Sequence, residues 1–272
     1  MAQVNTLNYT IQYQDLDQNY RLRLYTLENY LLNSAGIVAD QGGFGMRYLA
    51  KQKCTWVLTN LSVEISYLPT VDEVLTITTW VEQNVHMLSV RNYLLYVNGV
   101  LVGKVKSVWA IIHMKERTVQ SVFDQPVFLD VPTGETIDIM RAPRLTALPE
   151  EERMQIMAGE IDKKVCGYTH HEVVYSDIDY NGHCNSCKYL EFMLNVCEPV
   201  DLKKELPKSV KDLPIDYALR IDIKYAKEIR RGELVDIFFK KQEETINYEI
   251  RTASGEVSCQ ARIARQSQSE NE

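Results

Sequence analysis

Residues 175–181 read YSDIDYN, and residues 13–19 read YQDLDQN. Tyr13, Asp15, Asp17 and Asn19 recur as Tyr175, Asp177, Asp179 and Asn181, each 162 positions on. Each copy leads into a stretch of helical length, LYTLENYLLNSAGIVA in the first and NSCKYLEFMLNVCE in the second. Both stretches are apolar on nearly every side, which predicts a helix enclosed by a core. Further on, NLSVEISY (60–67) alternates Leu61, Val63, Ile65 and Tyr67 with polar neighbours. ALRIDIKY (218–225) does the same, setting Leu219, Ile221, Ile223 and Tyr225 against Arg220, Asp222 and Lys224. This period of two predicts strands buried on one face. The closing strand pairs are joined at Asn98-Gly99 and Ser254-Gly255, both hairpin signals.

Each half therefore reads as a short strand, a loop, one buried helix and an antiparallel run of strands. The predicted fold class is α+β, two such units in tandem, and 272 residues suffice for two domains. The first unit is expected over 1–125 and the second over 161–264, with a polar tail at 265–272. Pro126, Pro132, Pro143 and Pro149 mark 126–160 as a linker, carrying a short helix at PEEERMQIM. A net charge of −7 argues against a nucleic-acid surface. The opening MAQVNTLNYTIQYQD has no basic start and no long apolar run, so no signal peptide is expected. No stretch approaches the roughly 18 apolar residues of a membrane span. Six scattered cysteines do not form a disulfide scaffold in a chain this long. A cytoplasmic protein with reduced thiols is the expectation.

Cys184-x-x-Cys187 on its own fits half a zinc site or a redox pair. A structural zinc site needs four ligands, and the sequence has no second Cys-x-x-C or matching His pair. Two small buried residues near a helix start are the favoured reading. His170 and His171 are adjacent and would face opposite sides of a strand, which does not suit a shared metal. The difference between the copies says more. Arg21 stands where the second copy has His183, and Thr70, three past Tyr67, stands where it has Glu228, three past Tyr225. Only the second half then carries the full set of Asp179, Asn181, His183 and Glu228.

YSDIDYNGHCNSCKYLEFML resembles the catalytic segment of the acyl-acyl carrier protein thioesterases of plants and bacteria, S-D-x-D-x-N-x-H-x-N-N-x-K-Y. Residues 35–82, AGIVADQGGFGMRYLAKQKCTWVLTNLSVEISYLPTVDEVLTITTWVE, independently resemble the family's A-G-x-x-x-D-G-F-G block and the strands after it. The resemblance implies a tandem hot-dog fold, each unit an antiparallel sheet wrapped around a central helix. It implies hydrolysis of the thioester joining a fatty acyl chain to the carrier protein's phosphopantetheine arm, ending chain elongation in fatty acid biosynthesis. Asp179, Asn181, His183 and Glu228 fall on the family's catalytic positions, and no metal or organic cofactor is implied. Ile229 departs from the cysteine that plant members carry after the glutamate.

Asp179 and Glu228 are the expected base and nucleophile, with mutual repulsion raising one pKa. Backbone N–H groups near 183–185 are the expected oxyanion donors. The acidic carrier protein would dock on Lys224, Lys227, Arg230 and Arg231, or on Lys203, Lys204, Lys208 and Lys211. The acyl chain would reach into the first unit near Gly42, Gly43, Phe44, Gly45, Met46 and Trp56, although such glycines also simply end helices. Two alternatives stay open, a hot-dog acyl-CoA thioesterase and an acyl-binding protein without activity. A monomer and a homodimer are both compatible with the sequence.

Overall fold

The computed structural model describes residues 4–125, 127–128, 131–198, 209–213 and 218–265. They form two compact units that part between residues 141 and 142, with 209–213 grouped with the first. In the first unit the elements are β1 (Asn5–Thr10), α1 (Leu24–Gln41), α2 (Met46–Leu49), β2 (Cys54–Ile65), β3 (Val74–Val85), β4 (Leu88–Val97), β5 (Val100–His113) and the short β6 (Val119–Gln120). The second contains α3 (Glu150–Ala158), β7 (Cys166–Glu172), α4 (Ser186–Val196), β8 (Leu219–Tyr225), β9 (Leu234–Gln242), β10 (Thr245–Thr252) and β11 (Val257–Arg265). Strand order is β1-β3-β4-β5-β2 in one unit and β7-β9-β10-β11-β8 in the other, and the pairs are antiparallel throughout. The repeat in the sequence is thus a repeat of topology. Asn98 and Gly99 both adopt positive φ, as a two-residue hairpin turn requires, and Gly255 does so in the second hairpin.

The helices are less enclosed than their composition suggests. Helix α1 buries Leu24, Leu27, Leu31, Ala35 and Val38, whereas Asn29, Asn33, Gly36 and Ile37 are exposed. Spacing of three and four places these sets on opposite sides, so α1 lies on its sheet with one face open. The strands err the other way. Ser62, Glu64, Arg220 and Asp222 are all buried, so β2 and β8 are covered on both faces rather than one.

Arg220 and Asp222, two apart and hence on one side of β8, satisfy each other. Nε donates to Oδ2 at 3.0 Å and Nη2 to Oδ1 at 2.7 Å. Glu249 is met in the same way: Leu148 N, Gln260 Nε2 and Arg251 Nε all donate to its carboxylate.

The proline-rich segment is well anchored. Trp80 Nε1 and Asn92 Nδ2 both donate to Glu135 O, Lys104 Nζ donates to Asp138 O, and Met140 N donates to Glu64. Residues 134–140 thus lie along one face of the first unit's sheet. Helix α3 forms where the short helix is expected and packs Ile156 with Cys166 and Phe238. All six cysteines are free and buried. His170 and His171 do face opposite sides of β7, each against an aspartate, Asp236 and Asp177 respectively.

Candidate active site

The loop from Tyr175 to Asn185 is built by its own aspartates. After a 3-10 turn at Tyr175–Asp177, Asp179 Oδ1 accepts from the backbone of Asn181 at 2.8 Å and of His183 at 3.3 Å. Asp179 N donates to His183 O, and Gly182 N to Asp179 O, closing a tight turn in which Gly182 takes a φ of 78°. Asn185 Oδ1 then caps α4 by accepting from Cys187 N. Two more bonds place this loop: Asn185 N donates to Asp177 O, and Cys184 N donates to Ile229 O at 2.8 Å. The second ties the loop to the segment after β8, beside Glu228. His183 Nε2 consequently lies 3.3 Å from Glu228 Oε2, with the histidine side chain 15% and the glutamate 36% exposed.

The first unit repeats this wiring apart from the side-chain cap, which Arg23 does not make. Asp17 Oδ1 accepts from Asn19 and Arg21, Asp17 N donates to Arg21 O, and Arg23 N donates to Asp15 O. Leu22 N donates to Pro69 O, as Cys184 N does to Ile229 O. Ile11 N to Glu73 O likewise mirrors Val173 N to Glu233 O. These bonds fix the correspondence, and it corrects the sequence pairing. Pro69 matches Ile229, so the counterpart of Glu228 is the fully buried Leu68, not Thr70. Aligning Tyr67 with Tyr225 slips the strand by two residues, and a shift of two leaves the inward and outward pattern unchanged. Arg21, at the histidine's position, donates to Leu68 O and stacks over Tyr67. The first unit keeps the loop but lacks the imidazole and the carboxylate.

Glu228 pairs with the imidazole of His183. One chemical expectation changes. The N–H groups of His183, Cys184 and Asn185 are already bonded, to Asp179, Ile229 and Asp177. They are therefore not free to bind an oxyanion. Asn181, whose Nδ2 lies 3.4 Å from Asp179 Oδ2, is exposed beside them.

Sequence reasoning missed the supports under the loop. Asp177 is buried and accepts from Val174 N at 2.9 Å and from His171 Nε2 at 2.8 Å, with Lys188 Nζ 3.8 Å away. In the first unit burial, together with the nearby carboxylate of the equivalent Asp15, pushes the Tyr30 pKa up to about 12. Phe192 stands at the position of Tyr30 in the second unit, and His171, its ring tilted against Phe192 with centroids 4.0 Å apart, bonds Asp177. The signal was available in the paired Tyr-x-Asp of both copies. Behind Glu228, Tyr189 OH and Ser258 Oγ both donate to Lys227 O.

Cys184 and Cys187 are buried at the helix start, and burial pushes the Cys184 thiol up to about 12. Among the described residues no group of three or more His, Cys, Asp and Glu is placed to hold a metal. Gly42 and Gly43 end α1, Gly43 with a φ of 80°, and Gly45 starts α2 as its N-cap. A Cβ on Gly45 would meet Asp40 of α1 at 2.2 Å, so the close approach is to the helix itself. Phe44 and Trp56 do come together: Trp56 Nε1 donates to Phe44 O and both rings pack on Phe128, while Thr55 Oγ1 donates to Met46 Sδ. Lys224, Lys227, Arg230 and Arg231 are exposed on either side of Glu228, but Lys227 is ion-paired with Glu256. Of the second basic cluster, Lys203, Lys204 and Lys208 lie outside the described residues.

Residues 2–127 match the acyl-ACP thioesterase N-terminal domain, and residues 161–267 match the C-terminal domain. The chain belongs to the acyl-ACP thioesterase family. An acyl-ACP thioesterase structure from Bacteroides thetaiotaomicron superposes with a TM-score of 0.77 at 25% identity, over 97% of this chain and 98% of that one. A 12:0-ACP thioesterase from Umbellularia californica gives 0.74 over 97% of each chain, and at 13% identity it speaks for the fold alone. Both agree with a tandem hot-dog architecture for this thioesterase family member. A chloroplastic acyl-[acyl-carrier-protein] hydrolase of Cuphea viscosissima is 24% identical over 212 residues, 75% of this chain and 45% of that protein. The chloroplastic palmitoyl-acyl carrier protein thioesterase of Arabidopsis thaliana is 24% identical over 222 residues, 77% of this chain and 50% of its own length. The chain thus spans about half the length of these curated relatives.

Proposed function

We propose that the protein hydrolyses the thioester of fatty acyl-acyl carrier protein, releasing free fatty acid and ending chain elongation. The His183–Glu228 pair carries this reading, because the duplicated loop in the first unit lacks both groups and the second unit alone has them. Asp179 spends Oδ1 on two backbone N–H groups, as Asp17 does where no pair exists, so it positions the loop. Base duty falls to Glu228, which takes a proton from the water attacking the thioester carbonyl. Asn181 donates its side-chain amide to the carbonyl oxygen as negative charge develops there. His183 returns a proton to the departing thiolate, so thioester and water give carboxylic acid and thiol. Ile229 excludes a cysteine nucleophile beside Glu228. Free-acid release from acyl-carrier protein and from acyl-CoA, measured side by side, tests the proposal. Faster turnover of acyl-CoA would reassign the substrate, and no release from either would leave a binding protein. A cytoplasmic setting is part of the same proposal, and cell fractionation checks it.

The carrier protein is acidic, and Lys224, Arg230 and Arg231 surround the glutamate with exposed positive charge. Arg231, 5.9 Å over the exposed ring of Tyr175, is the cleaner probe because Lys227 already has Glu256. Arg231→Glu is expected to raise KM for acyl-carrier protein several-fold and to spare acyl-CoA, with the difference shrinking as salt is added. Equal, salt-independent losses on both substrates would reject this surface.

The acyl chain is placed in the first unit against Phe44 and Trp56, with Gly43 and Met46 at the adjoining turn. Each buried methylene is worth about 0.8 kcal/mol, so filling the space shifts preference by whole carbons. Met46→Trp is expected to shorten the released acids, read from their chain-length profile. An unchanged profile from folded enzyme would move the chain elsewhere.

A further inference from the structure

The duplication lets each unit serve as a control for the other. Tyr93 pairs with Thr79 and Val105 as Tyr248 pairs with Phe239 and Ala261, which fixes β3–β4–β5 against β9–β10–β11. Two residues further along each ladder, Arg91 corresponds to Ile246 and Ser107 to Ile263, while Thr79 corresponds to Phe239. All six side chains are buried. The same fold, at the same positions, is apolar in the catalytic unit and polar with a full positive charge in the other.

Arg91 shares its face of β4 with Tyr93 and Leu95, opposite the face on which Asn92 binds the 134–140 segment. It is 4% exposed, and burial pulls its pKa below the ordinary guanidinium value. Of its five N–H donors, Nη1 reaches Thr79 Oγ1 at 3.2 Å, and that hydroxyl gives its own proton to Asn92 O. Among the described residues no carboxylate pairs with Arg91. Beside it, Tyr93 OH lies 3.1 Å from Ser107 Oγ, which also accepts from Trp109 Nε1 at 2.7 Å. Holding a desolvated cation without a counter-charge is costly, and Ile246 shows that the fold does not need it. Its cross-strand partner Val81 belongs to the apolar cluster of Phe44, Leu49, Ile111 and Phe128. Positive charge and an apolar cluster are therefore contiguous.

We propose that the interior of the first unit binds the carboxylate of an aliphatic acid, with the Arg91 guanidinium as counter-charge and the alkyl tail against the Phe44 cluster. The carboxylate has two possible sources, the free fatty acid released by the enzyme or an acyl group bearing a second, terminal carboxyl. Only this choice of source rests on the thioesterase reading. Binding itself is measured without turnover, by calorimetric titration of the whole protein with laurate and with dodecan-1-ol. Laurate is expected to bind at least ~10-fold more tightly than the alcohol, the margin of a charge-assisted hydrogen-bonded pair. Arg91→Met should abolish that preference and Arg91→Lys should keep most of it. Arg91→Met should also raise the Tm of the unliganded protein, since it removes a buried charge as Ile246 does. Hydrolysis of dodecanoyl and dodecanedioyl thioesters separates the sources. An Arg91-dependent preference for the second identifies the acyl group, and Arg91-dependent inhibition by laurate identifies the product. If laurate and dodecanol bind alike, or Arg91→Met keeps the preference, or that variant unfolds while Arg91→Lys binds laurate no better than the alcohol, the site does not exist.

Discussion

Glu228→Gln is expected to lower kcat on acyl-carrier protein by at least ~100-fold with little change in KM, the usual scale for removing a positioned base. Glutamine keeps the side chain's length and can still meet His183 Nε2, so the loop that Cys184 N ties to Ile229 O should stay in place. Only the proton-accepting charge is lost. His183→Ala should cost a similar factor, and the double variant little more, because paired groups that act as one proton-transfer unit are not additive. Asp179 needs a two-step test. Asp179→Asn keeps an acceptor for the amides of Asn181 and His183, whereas Asp179→Ala opens the turn. The loop-positioning role predicts a much smaller loss for asparagine than for alanine. Changing Cys184 and Cys187 to serine together should leave most activity, as both thiols are buried and burial pushes that of Cys184 away from ionisation. Steady-state kinetics at saturating substrate decide among these. An active Glu228→Gln beside a dead double-serine enzyme would overturn the mechanism.

The repeat, the helices and the hairpins were legible because they are local and occur twice. YQDLDQN and YSDIDYN encode one hydrogen-bonded loop, so two noisy signals reinforce each other. The slip at Thr70 shows where that legibility ends. Strand patterning has a period of two, so it cannot distinguish registers two residues apart, and only the bond from Leu22 N to Pro69 O does. Asp177 and His171 were hidden for another reason. Their contact joins a strand to a loop six residues on, and nothing in the local pattern of either element announces that the two side chains meet. The oxyanion assignment failed because a helix start looks like free N–H groups in sequence, and here loop carbonyls and Asp179 had already taken them.

Strand β8 was misread by the same logic, and it gives the largest expected effect on stability. Arg220, Asp222 and Lys224 looked like one solvated face, yet Arg220 and Asp222 are each 2% exposed and only Lys224 reaches water. Alternation reports which residues share a side, not whether that side is covered. Asp222→Ala removes the two-point partner of the buried Arg220 guanidinium, and breaking a buried pair costs about 3–5 kcal/mol. A loss of that size rivals the net stability of a domain, so the second unit should melt far earlier in urea or unfold outright. Converting both residues, Arg220→Met with Asp222→Leu, removes the charges along with their desolvation. That variant should return to within about 1 kcal/mol of the parent or exceed it. The two results separate a pair that stabilises from one that is merely tolerated. If Asp222→Ala unfolds at the parent's urea midpoint, the two-point pair with Arg220 contributes nothing to the stability of the unit.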